Sequence, residues 1–109
     1  MIDIKDFGKL DLRVGTIVKA ELLEKVRKPA YYLEIDFGKL GTKKSSAQIT
    51  DLYKSIELIG RQIIAIVNFP PKRIAGFESE VLVLGANNDN EAVVLLEPQN
   101  NITNGAKIS

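Results

Sequence analysis

The sequence predicts an all-β (mainly β) fold: a small five-stranded barrel, one short helix between strands three and four, and short terminal extensions. Three observations carry this. Short runs of alternating or β-branched apolar residues recur along the chain, glycine- and asparagine-rich turns separate them, and a single interior stretch has helix caps. The chain has 109 residues, 45% hydrophobic and 27% charged, the make-up of a folded globular domain. Size scaling gives a folded surface of roughly 6,000 Å² against roughly 17,000 Å² extended, which is enough burial for one core. Residues 1–109 are therefore expected to form one domain.

Asp3 to Lys9 reads as one helical turn, with Asp3 as N-cap and Ile4 and Phe7 on one side. Leu12 to Leu23 is a long strand with Leu12, Val14, Thr16, Val18, Ala20 and Leu22 expected on one face and a bend at Gly15. A basic loop ends at Lys28-Pro29. In Tyr31 to Phe37, Tyr31, Leu33, Ile35 and Phe37 alternate with Tyr32, Glu34 and Asp36, the pattern of a half-buried strand. Lys43 to Ile49 predicts a third, polar strand. Thr50 is placed to cap a helix from Asp51 to Leu58, with Leu52, Ile56 and Ile59 inward and Gly60 as the stop. Gln62 to Val67 is nearly all apolar and reads as a buried strand, ended by Asn68-Phe69-Pro70-Pro71-Lys72-Arg73. Val81 to Leu84 and Ala92 to Leu96 are further strands around a turn from Gly85 to Glu91. Thr103-Asn104-Gly105 marks a last turn. A five-stranded barrel with its helix between strands three and four is the arrangement of the OB-fold, which commonly binds oligonucleotides on its strand 2–3 face and flanking loops.

Cysteine and histidine are both absent. This removes disulfides, thiol nucleophiles, Cys/His metal sites and imidazole acid–base chemistry. Gly38 to Ser46 (GKLGTKKSS) lacks the spacing of a phosphate-binding loop, and there is no G-x-G-x-x-G. A Ser–Lys pair among Lys43, Lys44, Ser45 and Ser46 reads better as a polar strand surface, and Glu34 with Asp36 as a solvated strand face. The expectation is a protein with no catalytic activity, metal or cofactor. No apolar run approaches a membrane span and Met1 to Gly8 has no signal-peptide pattern, so no membrane insertion and a cytoplasmic location are expected.

The net charge of +1 hides an asymmetry. Residues 25–73 hold ten basic and four acidic side chains, a local +6, and the rest of the chain holds five basic and ten acidic, −5. A basic face suits an anionic partner. Three groups supply it: Lys25, Arg27 and Lys28 in the first loop; Lys43, Lys44, Ser45, Ser46 and Gln48 on the third strand; and Lys72 with Arg73 after the double proline. Lysine and arginine attract phosphates, while hydroxyls and amides add hydrogen bonds. Tyr32, Phe77 and Tyr53 are the aromatics available for base stacking, few for a long single strand and better matched to a folded RNA.

Several segments resemble the stand-alone tRNA-binding domain family: Phe7-Gly8-Lys9-Leu10-Asp11-Leu12-Arg13-Val14-Gly15-Thr16-Ile17, Lys28-Pro29-Ala30, Ile35-Asp36-Phe37-Gly38 and Ser45-Ser46-Ala47-Gln48-Ile49. The run from Val67-Asn68-Phe69-Pro70-Pro71-Lys72-Arg73 through Phe77-Glu78-Ser79-Glu80-Val81 to Leu84 resembles its CsaA branch, the export-related chaperones. The resemblance implies an OB-fold homodimer with terminal extensions. It also implies tRNA binding through the barrel face and, as the alternative, binding of unfolded or preprotein polypeptides to assist secretion. The implied RNA surface is Lys43 to Gln48, Asn68, Lys72, Arg73 and Ser79. Phe69, Ile74 and Phe77, apolar residues of a turn-rich stretch, are the candidates for polypeptide binding. Ala75 stands where the broader family has arginine, and Val81-Leu82 where it has Gly-Met.

Overall fold

The computed structural model describes residues 1–24 and 26–109. Lys25, counted above in the basic first loop, lies outside the described residues. The elements in order are α1 (Ile4–Phe7), β1 (Leu12–Leu23), β2 (Ala30–Asp36), a 3₁₀ turn (Gly38–Leu40), β3 (Thr42–Ala47), α2 (Ser55–Leu58), β4 (Gln62–Ile66), β5 (Lys72–Ile74), β6 (Phe77–Ser79), β7 (Leu82–Val83), β8 (Gly85–Asn87) and β9 (Val93–Leu95). Five strands make one antiparallel sheet in the order β3-β2-β1-β4-β7. The sheet curls until β3 meets the segment leading into β7. There the Glu80 amide donates to the Lys44 carbonyl at 2.8 Å, and the Ser45 hydroxyl donates to the Val81 carbonyl at 2.9 Å. The result is the predicted OB-like barrel, with α2 between β3 and β4. Its core gathers Ile17, Leu33, Ile35, Phe37, Leu58 and Ile63, all fully buried. Among the described residues no helix is long and apolar enough to cross a membrane.

At the N-terminus the capping expectation holds: the Asp3 carboxylate accepts from the Lys5 and Asp6 amides, and Asp6 returns a bond to the Asp3 amide. The β1 faces need correction. A Cβ on Gly15 would lie 2.6 Å from Ile35 Cγ2 and 2.7 Å from the Phe37 ring, so Gly15 faces the barrel core. Ile17 shares that side by strand alternation, while Leu12 and Val14 are buried on the opposite one. The pairing register with β2 then shifts between Ile17 and Lys19. This irregularity puts Val18 in solvent and returns Ala20 to the core. The strand's phase therefore breaks after Ile17 and not at Gly15, and Leu22 ends up exposed.

The second helix is shorter than predicted. Thr50 to Leu52 form a turn, Lys54 takes the N-cap position, and the helix is a single turn, Ser55–Leu58. One turn cannot hold a long apolar face, so Leu52, Ile56 and Ile59 are exposed and Leu58 alone is buried. The sequence marks Asn68 to Arg73 only as a break, but the region after the double proline has structure of its own. It contains the β5–β6 hairpin, turning at Ala75 and Gly76, which have φ of 48° and 88°. Residues 85–87, expected in a turn, pair with β9 as β8.

The C-terminal segment completes β1. The first half of β1 pairs with β4 on one edge, while β2 reaches only from Thr16 onward. The vacant edge is taken by residues 105–108: Gly105 N donates to the Val14 carbonyl at 2.7 Å, Val14 N to Ala106 at 3.0 Å and Ile108 N to Leu12 at 2.9 Å. Asn104 Oδ1 accepts from Thr16 Oγ1 at 2.8 Å and from Gln62 Nε2 at 3.0 Å. Gly38 (φ 66°) and Gly105 (φ 91°) bring the two backbones together. A Cβ on Gly38 would overlap the Asn104 carbonyl, and one on Gly105 would lie 2.5 Å from the Phe37 carbonyl oxygen.

Candidate nucleic-acid interface

Cross-strand register sorts the β3 residues. Tyr31, Leu33 and Ile35 are buried, and they pair with Ala47, Ser45 and Lys43. Directly opposed residues share a face, so Lys43 and Ser45 lie on the inner face. Ser45 is fully buried there. Tyr32, Glu34 and Asp36 pair with Ser46, Lys44 and Thr42 on the outer face. The contiguous polar run read from the sequence is thus split, with Lys44 and Ser46 outward and Lys43 and Ser45 inward.

On the outer face the Tyr32 hydroxyl donates to Glu34 Oε2 at 2.5 Å. Lys19 Nζ lies 3.9 Å from the same carboxylate oxygen and 5.9 Å from the Tyr32 ring centre. The Tyr32 phenol is pushed up to about 12, first by the hydrogen bond it donates to Glu34, then by burial and by the negative charges of Glu34, Glu21 and Glu80. Phe77 of β6 packs its ring edge-on against Tyr32, with centroids 4.9 Å apart. The two candidate stacking residues therefore bind one another and fasten the β5–β6 hairpin over β2 and β3. Tyr53 packs on the core. Its hydroxyl accepts from the Leu95 amide at 3.0 Å, and the Arg61 guanidinium lies 5.1 Å from its ring centre.

Two hollows meet at Ser46 and Ile74. The first, about 270 Å³, is walled by Phe69, Pro70, Ile74, Val81 and Leu82, with Ser46, Lys72, Ser79 and Glu80 around it. The second, about 300 Å³, brings Arg27, Lys28, Ser46 and Gln48 against Val26, Ala30 and Ile74. One continuous surface thus joins the first loop, the outer edge of β3 and the hairpin. None of Arg27, Lys28, Lys44 or Lys72 belongs to an ion pair among the described residues. Ser79 Oγ accepts from the Ser46 amide at 3.2 Å.

Other expected residues stand apart from this surface. Arg73 alternates with Lys72 and Ile74, lines neither hollow, and donates to the Gly76 carbonyl at 3.3 Å. The Asn68 amide is occupied in holding the N-terminal segment: Oδ1 accepts from the Asp11 amide at 2.9 Å and Nδ2 donates to the Lys9 carbonyl at 2.8 Å. Glu80 and Val26 line the hollows without having been singled out in sequence. Glu80 carried no signal, because one carboxylate in a Ser-Glu-Val run is ordinary. Among the described residues no three Asp, Glu, His or Cys side chains gather as metal ligands do.

Residues 12–107 match the family model described as "Putative tRNA binding domain". The chain belongs to this tRNA-binding domain family. Among solved structures, the chain superposes on the chaperone CsaA from Bacillus anthracis with a TM-score of 0.95 and 58% identity, covering 100% of this chain and 99% of that one. CsaA from Picrophilus torridus gives 0.93 and 53%, with full coverage of both chains. In sequence, the methionine–tRNA ligases of Methanococcoides burtonii and Pyrococcus horikoshii are 33% and 36% identical over 99% and 98% of the chain. The chain spans only 16% and 14% of the length of those two ligases.

Proposed function

We propose that this tRNA-binding-family chain is a non-enzymatic, CsaA-like protein that binds tRNA or structured RNA through the surface around Ser46, as a homodimer. The observation that carries this reading is the gathering of Arg27, Lys28 and Lys72, none of them in an ion pair among the described residues, beside Ser46 and Ser79. Lys44 adds a fourth cation on the same face. Cations of this kind attract phosphates, and hydroxyls add hydrogen bonds that set register. The homodimer accords with the exposed apolar residues Ile2 and Ile4 of the N-terminal extension and would bring two such surfaces to one RNA.

The test is fluorescence anisotropy of labelled bulk tRNA across a salt series. Saturable binding with a log–log slope of several units is expected, each phosphate contact adding about −0.7 to −0.9. Lys44→Ala is expected to lower both affinity and slope, by about one contact. Lys43→Ala, on the inner face, should change them less. No saturable binding at low salt would overturn the RNA reading.

A second reading, a chaperone binding unfolded or preprotein polypeptides, is favoured by the apolar walls of the first hollow, where Phe69 is 43% exposed. It predicts suppression of client aggregation at stoichiometric protein, weakened by Phe69→Ala. Of the other two polypeptide candidates, Ile74 lines both hollows, whereas Phe77 is engaged with Tyr32.

A further inference from the structure

The first hollow is lined by an acidic residue, Glu80, where a phosphate-binding surface would be expected to exclude one. Glu80 is pinned to the neighbouring strand from two sides: its amide donates to the Lys44 carbonyl at 2.8 Å, and its Oε1 accepts from the Lys44 amide at 3.0 Å. Its second oxygen, Oε2, has no protein donor among the described residues. An ionised carboxylate only accepts hydrogen bonds. Set beside an RNA backbone it repels, unless the ligand turns N–H groups toward it.

The surroundings restrict what that ligand can be. Donors lie close by: Lys72, and the Ser79 hydroxyl, whose oxygen is already taken by the Ser46 amide and whose hydrogen is left to give. Phe69 and Leu82 offer exposed apolar walls to a ring. At about 270 Å³ the hollow falls just below the roughly 300–1,000 Å³ of sites that enclose drug-sized ligands, so it suits one ring system and not a longer segment. A fixed acceptor next to donors, between apolar walls, is complementary to the guanine edge. Guanine presents two adjacent N–H donors, N1–H and the 2-amino group, beside the acceptor O6. Cytosine and adenine each present one donor group there, and uracil presents a lone N–H between two carbonyls.

We propose that the hollow between Phe69, Leu82 and Glu80 is a subsite for one unpaired guanine of the bound RNA, read by the Glu80 carboxylate. The proposal rests on the RNA-binding reading above and narrows it from attraction of phosphates to recognition of a base. Charge-assisted hydrogen bonds of this kind are stronger than neutral ones, and inosine is guanosine without the 2-amino group.

The experiment uses the full chain and three RNA hairpins with one common stem. Their otherwise all-uridine loops carry a single guanosine, a single inosine or a further uridine. The wild-type protein is expected to bind the guanosine loop about tenfold more tightly than the inosine loop, the effect of about one lost hydrogen bond to a charged group, and the uridine loop no better than inosine. Glu80→Gln keeps an oxygen for the Lys44 amide, and is expected to erase the guanosine–inosine difference while leaving uridine-loop affinity equal or higher. Equal wild-type affinity for all three loops would overturn the subsite and leave RNA binding intact, as would a guanosine preference that survives Glu80→Gln. Displacement of all three hairpins alike by an unfolded apolar polypeptide, without base preference, would hand the hollow to polypeptide. Failure of every hairpin and of bulk tRNA to bind would remove the underlying RNA reading itself. The wild-type comparison decides even if the variant does not fold.

Discussion

Tyr32 shows how much one side chain is asked to do on this face. Its hydroxyl is spent on Glu34, its ring on Phe77, and its phenol is raised to about 12 from an ordinary 10.0. Because the folded state favours the protonated phenol, the associated stability is fully present below pH about 10 and is lost as the pH climbs through about 12. Glu34→Gln removes the charged acceptor that contributes most to the shift. Its expected effect is a Tyr32 titration moved back toward 10.0, followed by the tyrosinate ultraviolet band, and a flatter loss of stability between those two pH values. A titration curve identical to wild type would contradict the assignment of Glu34 as the cause. Ser45 and Asn68 make the complementary point. Their side chains answer internal backbone groups, the Val81 carbonyl and the Lys9–Asp11 segment, so a polar residue type in a basic stretch is no guide to its direction.

At the scale of elements, the β5–β6 hairpin is the most consequential piece. It forms its own two-stranded sheet, supplies Lys72 and Ile74 to the hollows, and is fastened to the barrel through Phe77 on Tyr32. Phe77→Ala is expected to lower unfolding free energy by about 0.5–1.5 kcal/mol for the aromatic pair, seen in denaturant titration, and to speed hydrogen exchange of the hairpin amides more than those of β4. Unchanged hairpin exchange would show that the fastening lies elsewhere. The hairpin was not legible in the sequence because its strands are three residues each, too short for a period to register, and because Pro70-Pro71 announces only a break. The barrel was legible: β2 alternates without interruption, and β4 is apolar after Gln62. The β1 phase was not, since a register shift between Ile17 and Lys19 leaves no mark on a run of β-branched residues. The nearness of Lys28, Ser46 and Lys72 on the candidate surface could be expected from the sequence. Strand parity, which separates Lys43 from Lys44, and the approach of Glu80 to a strand 36 residues earlier in the chain could not.

For the molecule as a whole, a net charge of +1 means that RNA attraction has to come from the distribution of charge and not its total, so binding is expected to weaken steeply with salt. At one junction Gly38 and Gly105 bring the turn after β2 against the C-terminal segment. Gly38→Ala places a side chain at φ 66° and into the Asn104 carbonyl. It is expected to lower stability by about 1–3 kcal/mol, measured as a shift in denaturant midpoint, and the Gly105→Ala effect should not add to it in full because the two share one contact. A midpoint unchanged in Gly38→Ala would mean that the segment is not needed by the barrel. The same junction bears on how the protein is made. Arg13 donates to the Gly105 carbonyl across 92 residues of chain, so during synthesis β1 leaves the ribosome long before the segment that covers its edge exists. Until then that strand presents unpaired amides to whatever is near, and a topology with so many distant pairings folds slowly. A nascent copy of this chain would itself spend time as an incompletely folded polypeptide.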